Sequence, residues 1–98
     1  MHYRKGGAIY IMTNKNNTTL YVGVTSKLKE RVWEHKTNKY PSSFTARYNL
    51  HKLVYYEGFQ SIVEAIKREK ELKGKSRNKK LVLIIGFNPE WNDLFETL

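Results

Sequence analysis

Cysteine is absent from the 98-residue chain. Its absence excludes a disulfide framework, a thiolate metal site and a catalytic thiol. It also suits a reducing compartment, so a cytoplasmic location is expected. Proline is scarce, with two residues, and no Pro- or Gly-rich linker divides the sequence. A single domain over residues 1–98, built on one modest core, is therefore expected. Long apolar runs are missing as well. The longest, Leu81 to Ile85, falls far short of the ~20 residues that a membrane span requires. No signal-length apolar stretch follows the basic N-terminus. Acidic residues are few, nine against eighteen Lys and Arg, which leaves a net charge of +9. A surplus of that size attracts polyanions. Nucleic acid is the first partner to consider, an anionic membrane surface the second, and plain solubility the third.

What is present is enough to fold. Hydrophobic residues make up 40% of the chain and aromatic ones 13%, which excludes a disordered or low-complexity segment. Ala8 to Met12 and Thr19 to Val24 read as two strands joined by the polar turn Thr13 to Thr18, an antiparallel hairpin. Ser26 is placed to cap a helix from Lys27 to Thr37. Asn38 to Tyr48 reads as a loop. His51 to Tyr56 reads as a third strand closed by Gly58. Ser61 can cap a helix from Ile62 to Lys73 that Gly74 stops. Ser76 to Ile85 is ambiguous, since a capping serine favours a helix while LVLII suits a strand. Asn88-Pro89 reads as the cap and first turn of a short final helix. The order β-β-α-β-α-α points to a small α/β (α+β) layer structure.

Several polar residues sit where the pattern asks for apolar ones. On the second helix Ile62, Ala65, Ile66 and Leu72 share a face, and Glu69 falls near its middle. A carboxylate there needs a basic partner or a cation. On the first helix Arg31 and His35 are spaced i, i+4, close to the Leu28/Val32 stripe. They could form a phosphate-binding and proton-handling pair. The plainer alternative, the commoner one for a single histidine, is that Arg31 snorkels and His35 is a satisfied core histidine. In the hairpin, Tyr10 and Tyr21 occupy the face opposite the aliphatic residues, and Gly23 hints at a bulge or at close approach of a ligand backbone. Together, Tyr10, Tyr21, Arg31, His35 and Glu69 contain what phosphodiester hydrolysis requires. Arg anchors the phosphate and offsets growing charge. Tyr or His can take a proton from the attacking water. A carboxylate can hold one Mg²⁺ that keeps most of its waters.

Ala8-Ile9-Tyr10 and, ten residues on, Tyr21-Val22-Gly23 resemble the motif pair of the GIY-YIG nucleases. Arg31-x-x-x-His35 fits the same family. Glu64 to Lys73 (EAIKREKELK) resembles its metal-binding helix, with Glu69 aligned to the acidic ligand. Asn88 to Asn92 (NPEWN) looks like the closing motif of small stand-alone members. Ala8 replaces the usual first Gly and Val22 the common Ile, and neither change touches a reacting group. The resemblance implies a three-stranded antiparallel sheet flanked by helices. It also implies an endonuclease that uses Mg²⁺ or Mn²⁺ to hydrolyse phosphodiester bonds, usually in DNA, as in repair or recombination. By the same resemblance Tyr10 and Tyr21 line the site and one of them helps activate water. Arg31 contacts the scissile phosphate, His35 orients or deprotonates a tyrosine, Glu69 holds the single ion, and Asn92 matches a further polar site residue.

Eight basic residues fall between Lys67 and Lys80, Lys70, Lys73, Lys75 and Arg77 among them, with only Glu69 and Glu71 as acids. They suit a phosphate-backbone track and could also be a solvated helix face. Tyr40, Phe44 and Tyr48, set among cations, could stack on unpaired bases or pin their own loop. No helix-turn-helix, zinc-finger or RNP-type pattern is present. Selectivity must then come from substrate shape, a protein partner or oligomerisation. A noncatalytic basic nucleic-acid-binding module on the same fold is the alternative reading, and an interaction protein docking its basic face on an acidic partner is another.

Overall fold

The computed structural model describes residues 6–98. Its strands are β1 (Gly7–Thr13), β2 (Leu20–Thr25) and β3 (Lys52–Phe59). The helices are α1 (Leu28–Lys36), α2 (Phe44–Arg47), α3 (Ile62–Lys73) and α4 (Arg77–Phe87), followed by a 3₁₀ turn at Leu94–Thr97. The strands form one antiparallel sheet in the order β2-β1-β3, with Tyr10 opposite Gly23 on one side and Tyr56 on the other. The expected α/β layering and three-stranded sheet are therefore present. Among the described residues no helix is long and apolar enough to cross a membrane.

Strand alternation sorts the side chains onto two faces. Ala8, Tyr10 and Met12 pack with Leu28 and Val32 of α1 and with Leu50, Leu53 and Tyr56. Ile9, Ile11 and Val22 pack on the other face with Ala65 and Leu72 of α3 and Ile84 of α4. The sheet is thus covered on both sides. The inner stripe of α3 is narrower than its periodicity suggests. Ala65 and Leu72 are fully buried, whereas Ile62 and Ile66 are each more than a third exposed.

Local differences from the sequence reading have physical reasons. Ser26 does not cap α1. The flanking residue is Lys27, whose backbone N–H donates to the Thr25 hydroxyl instead. The Asn38 to Tyr48 loop contains the one-turn helix α2, capped by Ser43 accepting from Ala46 N–H. Gly58 lies inside β3 rather than after it. The ambiguous segment is α4, with Ser76 capping it as Ser61 caps α3. Asn88 ends α4 and opens a turn closed by Trp91 N–H, not the expected helix. Its buried side chain donates to the carbonyls of Val54 (3.2 Å) and Asn92 (2.8 Å). The final turn is capped by Asp93.

The β1–β3 register slips by one residue. Ile11 faces Tyr55 and Met12 faces Leu53, so Val54 is extra and shares a face with Tyr55. The pairing of β1 with β2 carries no such slip.

Candidate active site

The tyrosine face meets α1 near the β2 edge of the sheet. Tyr10 is 1% exposed, and its hydroxyl is hydrogen-bonded to His35 Nε2 at 2.8 Å. The other imidazole nitrogen, Nδ1, lies 2.8 Å from the Thr45 hydroxyl. Thr45 is itself buried and lies 3.2 Å from the Ser43 hydroxyl. The rings of Tyr10, Tyr21 and His35 form a triangle, with centroids 5.5 to 6.3 Å apart. Tyr21 is only half-buried, so it is the tyrosine that faces solvent.

Gly23 makes this triangle possible. A Cβ added there would lie 2.4 Å from the Tyr10 hydroxyl and ring. The glycine is needed for the Tyr10 ring rather than for a bulge or for ligand backbone. Gly7 has a related task, because a Cβ there would meet the Ile62 side chain at 2.7 Å. Ala8, in the motif position usually held by glycine, is fully buried in the core without such a clash.

Burial raises the Tyr10 pKa, the nearby Tyr21 adds to the rise, and Arg31 opposes it. Burial also pulls His35 down to about 4, aided by the Arg31 cation and opposed by Glu34. His35 is therefore neutral near pH 7 and Tyr10 is protonated. If Tyr10 donates to Nε2, then Nδ1–H donates to Thr45, which is the self-consistent tautomer for a proton-accepting Nε2.

Arg31 bonds the Glu34 carboxylate at 2.9 Å and lies over the Tyr40 ring, 5.6 Å from its centre. Burial works against the Arg31 charge, but the Glu34 hydrogen bond leaves its pKa raised. Glu34 in turn is held below the usual carboxylate range, chiefly by that hydrogen bond.

Glu69 comes from α3, on the opposite face of the sheet. Its side chain is 13% exposed and pairs with Lys73 at 2.6 Å. The Lys73 ammonium sits 5.7 Å from the centre of the Tyr21 ring. One lysine therefore touches both the acidic residue of α3 and the accessible tyrosine of β2. Among the described residues no three His, Asp or Glu side chains gather as a metal cluster.

The structure brings Tyr10, Tyr21, Arg31 and His35 together and adds Glu69 through Lys73. Lys70, Lys75 and Arg77 are exposed, and Arg77 also reaches the Asn17 carbonyl of the hairpin turn at 3.4 Å. Asn92 is not among the gathered residues. Its backbone is clasped by Asn88 beside β3, at the sheet edge opposite β2, and the loop's polar anchor is Asn88. Sequence reasoning missed Thr45 and Glu34. Glu34 had a signal, its i, i+3 spacing from Arg31. Thr45 had none beyond the Ser43 cap just before it.

Residues 6–81 match the family model of the GIY-YIG catalytic domain. A UPF0213 protein of Syntrophus aciditrophicus is 38% identical over 82 residues, covering 84% of this chain and 92% of that relative. One from Staphylococcus haemolyticus is 38% identical over 76 residues, covering 78% and 90%. The solution NMR structure of a UPF0213 protein from Bacillus halodurans is similar with a TM-score of 0.54. It is 30% identical and is matched over 88% of this chain and 90% of its own. The paired motifs, the sheet that carries them and the match across most of the chain agree, and the chain belongs to the GIY-YIG family, a domain of nuclease type.

Proposed function

We propose that this protein is a divalent-metal-dependent endonuclease. It hydrolyses phosphodiester bonds in DNA, selecting substrates by shape with weak sequence preference. The observation that carries the reading is the convergence of Arg31, two tyrosines and a neutral histidine on one sheet face, with Glu69 linked to them through Lys73.

A single shielded carboxylate suits Mg²⁺ or Mn²⁺, which keep waters and accept phosphate oxygens as further ligands. It does not suit zinc, which asks for several protein donors. Glu69 would hold the ion, and the ion when bound would polarise a water and offset phosphate charge. Lys73 would release Glu69 to it and stay near the phosphate. Arg31 shares its guanidinium between Glu34 and the scissile phosphate. Tyr21, the solvent-facing tyrosine, orients the attacking water. The Tyr10–His35 pair supplies the proton acceptor. A docked phosphate offsets the Arg31 charge that helps depress His35, so the histidine becomes more basic when substrate arrives.

The test is cleavage of labelled single-stranded, duplex, flap and branched DNA, and of a matching RNA, in Mg²⁺, Mn²⁺ or EDTA. Metal-dependent cutting is expected. Arg31→Ala and Glu69→Ala, shown to be folded, should each lower it by about 10²-fold or more. The rival reading, binding without cutting, has one specific support, because Lys73 already gives Glu69 a partner within the chain. Salt-sensitive binding with no cleavage in either metal, unchanged by Glu69→Ala, would decide for that rival.

A further inference from the structure

Three large aromatic residues between Tyr40 and Tyr48 belong to neither core cluster. Tyr40, Phe44 and Tyr48 are 49%, 46% and 48% exposed. Two of them extend the catalytic tyrosines outward. Phe44 stacks on Tyr21, with centroids 6.0 Å apart and planes 28° apart. Tyr48 follows at 4.7 Å from Phe44. The rings Tyr10, Tyr21, Phe44 and Tyr48 thus form a continuous row from the sheet interior to the surface. Cations flank it. Arg47 lies 6.0 Å from the centre of the Tyr48 ring, and Lys39 and Arg31 each lie 5.6 Å from that of Tyr40.

The row is held in place from below. Thr45, between the two outer positions of the row, is buried and tied to His35. Ser43 caps the turn that carries Phe44, and Leu50 anchors its far end in the core. Half-exposed rings have an unfavourable hydration that a partner would relieve. Fixed spacing beside a phosphate-binding arginine suits stacked bases, because every base offers a π-face and every nucleotide a phosphate. Duplex DNA keeps those faces inside its own stack.

We propose that Phe44 and Tyr48, seated on Tyr21, form a stacking platform for unpaired bases of a DNA strand next to the scissile phosphate. The preferred substrates would then carry a single-stranded segment at the cut, as single strands and flaps do. This inference rests on the nuclease reading for the position of the cut, but the platform can be tested by binding alone.

The experiment is equilibrium binding in EDTA of a labelled single strand and of a hairpin duplex of matching composition. Wild type is compared with Tyr48→Ala and Phe44→Ala/Tyr48→Ala, each checked by circular dichroism and melting. Single-strand affinity should fall about tenfold or more in the double variant. Duplex affinity should change by less than about twofold, and Phe44→Trp/Tyr48→Trp should retain single-strand binding. Tyr48→Ala keeps the question answerable if Phe44→Ala unfolds, because Tyr48 does not touch Tyr21 in the row. Equal losses on both substrates, or none on the single strand, would overturn the platform. Self-association of the wild type lost in the double variant, with DNA affinities unchanged, would overturn it in favour of a protein interface. Selective single-strand binding by a protein that cuts nothing would uphold the platform and refute the nuclease reading.

Discussion

His35 shows what burial does to a single residue. It lies between Tyr10 and Thr45, and its pKa drops from 6.5 to about 4 through burial and the nearby Arg31 charge. In the unfolded chain the imidazole regains its ordinary value. As pH falls below about 6.5 the unfolded state takes up this proton first. The stability that neutral His35 contributes is therefore full above that pH and is lost progressively down to about 4. A shift of this size corresponds to at most about 3 kcal/mol. Urea unfolding at pH 7.5, 6 and 5 should show wild-type stability falling with pH. His35→Gln should remove most of the fall between pH 6.5 and 5, a window above the range in which ordinary carboxylates titrate. Parallel curves for the two proteins would mean that His35 is not the group responsible.

At the scale of elements, the irregularity in β3 and the end of α4 are one device. The bulge makes Val54 the unpaired residue of its strand, and Asn88 takes the Val54 carbonyl while closing its own loop through Asn92. A buried carbonyl left without a partner costs about 1–3 kcal/mol. Asn88→Ala should therefore destabilise the fold by about 2–3 kcal/mol, read as a lower urea midpoint with an unchanged slope. A loss below about 0.5 kcal/mol would show that the loop does not depend on this clasp. No residue pattern announced the device, because a one-residue slip leaves apolar periodicity intact on both sides. The hairpin was legible since Ile9, Ile11, Leu20, Val22 and Val24 alternate with the tyrosine-bearing positions. Helix α3 was legible from Ser61 and from the spacing of Ala65 and Leu72. Helix α4 was not, because Leu81 to Ile85 is apolar throughout although Val82 and Ile85 end up exposed. Its capping Ser76 was the informative residue. Helix α2 is too short for periodicity, and so Thr45, whose place depends on the path of that loop, stayed hidden. Tyr10, Tyr21, Arg31 and His35 were legible because each broke the apolar pattern of an element whose inner face was otherwise plain.

At the scale of the whole molecule the net charge is +9, and among the described residues part of that surplus forms a band. Lys67, Lys70, Lys73, Lys75, Arg77 and Lys79 are exposed along α3, α4 and the turn between them. Arg68 is set apart from that band, because Glu57 and Glu71 hold it. Lys73 and Arg77 tie the band to the tyrosine edge, through the Tyr21 ring and the hairpin turn. A track of this kind binds by releasing counterions, so the logarithm of the association constant falls linearly with the logarithm of salt concentration. Each phosphate neutralised contributes about 0.9 to that slope on duplex DNA and about 0.7 on a single strand. Lys70→Gln/Lys75→Gln/Lys79→Gln leaves the Glu69–Lys73 pair and the tyrosines untouched. If all three lysines meet phosphates, the duplex slope should shrink by about 2.7 and affinity at low salt should drop for every sequence alike. The folding stability should barely move, since exposed charges contribute little to it. An unchanged slope would make the band a solvated helix face. DNA would then have to reach the tyrosine edge from the side of Lys39 and Arg47, where the exposed rings lie.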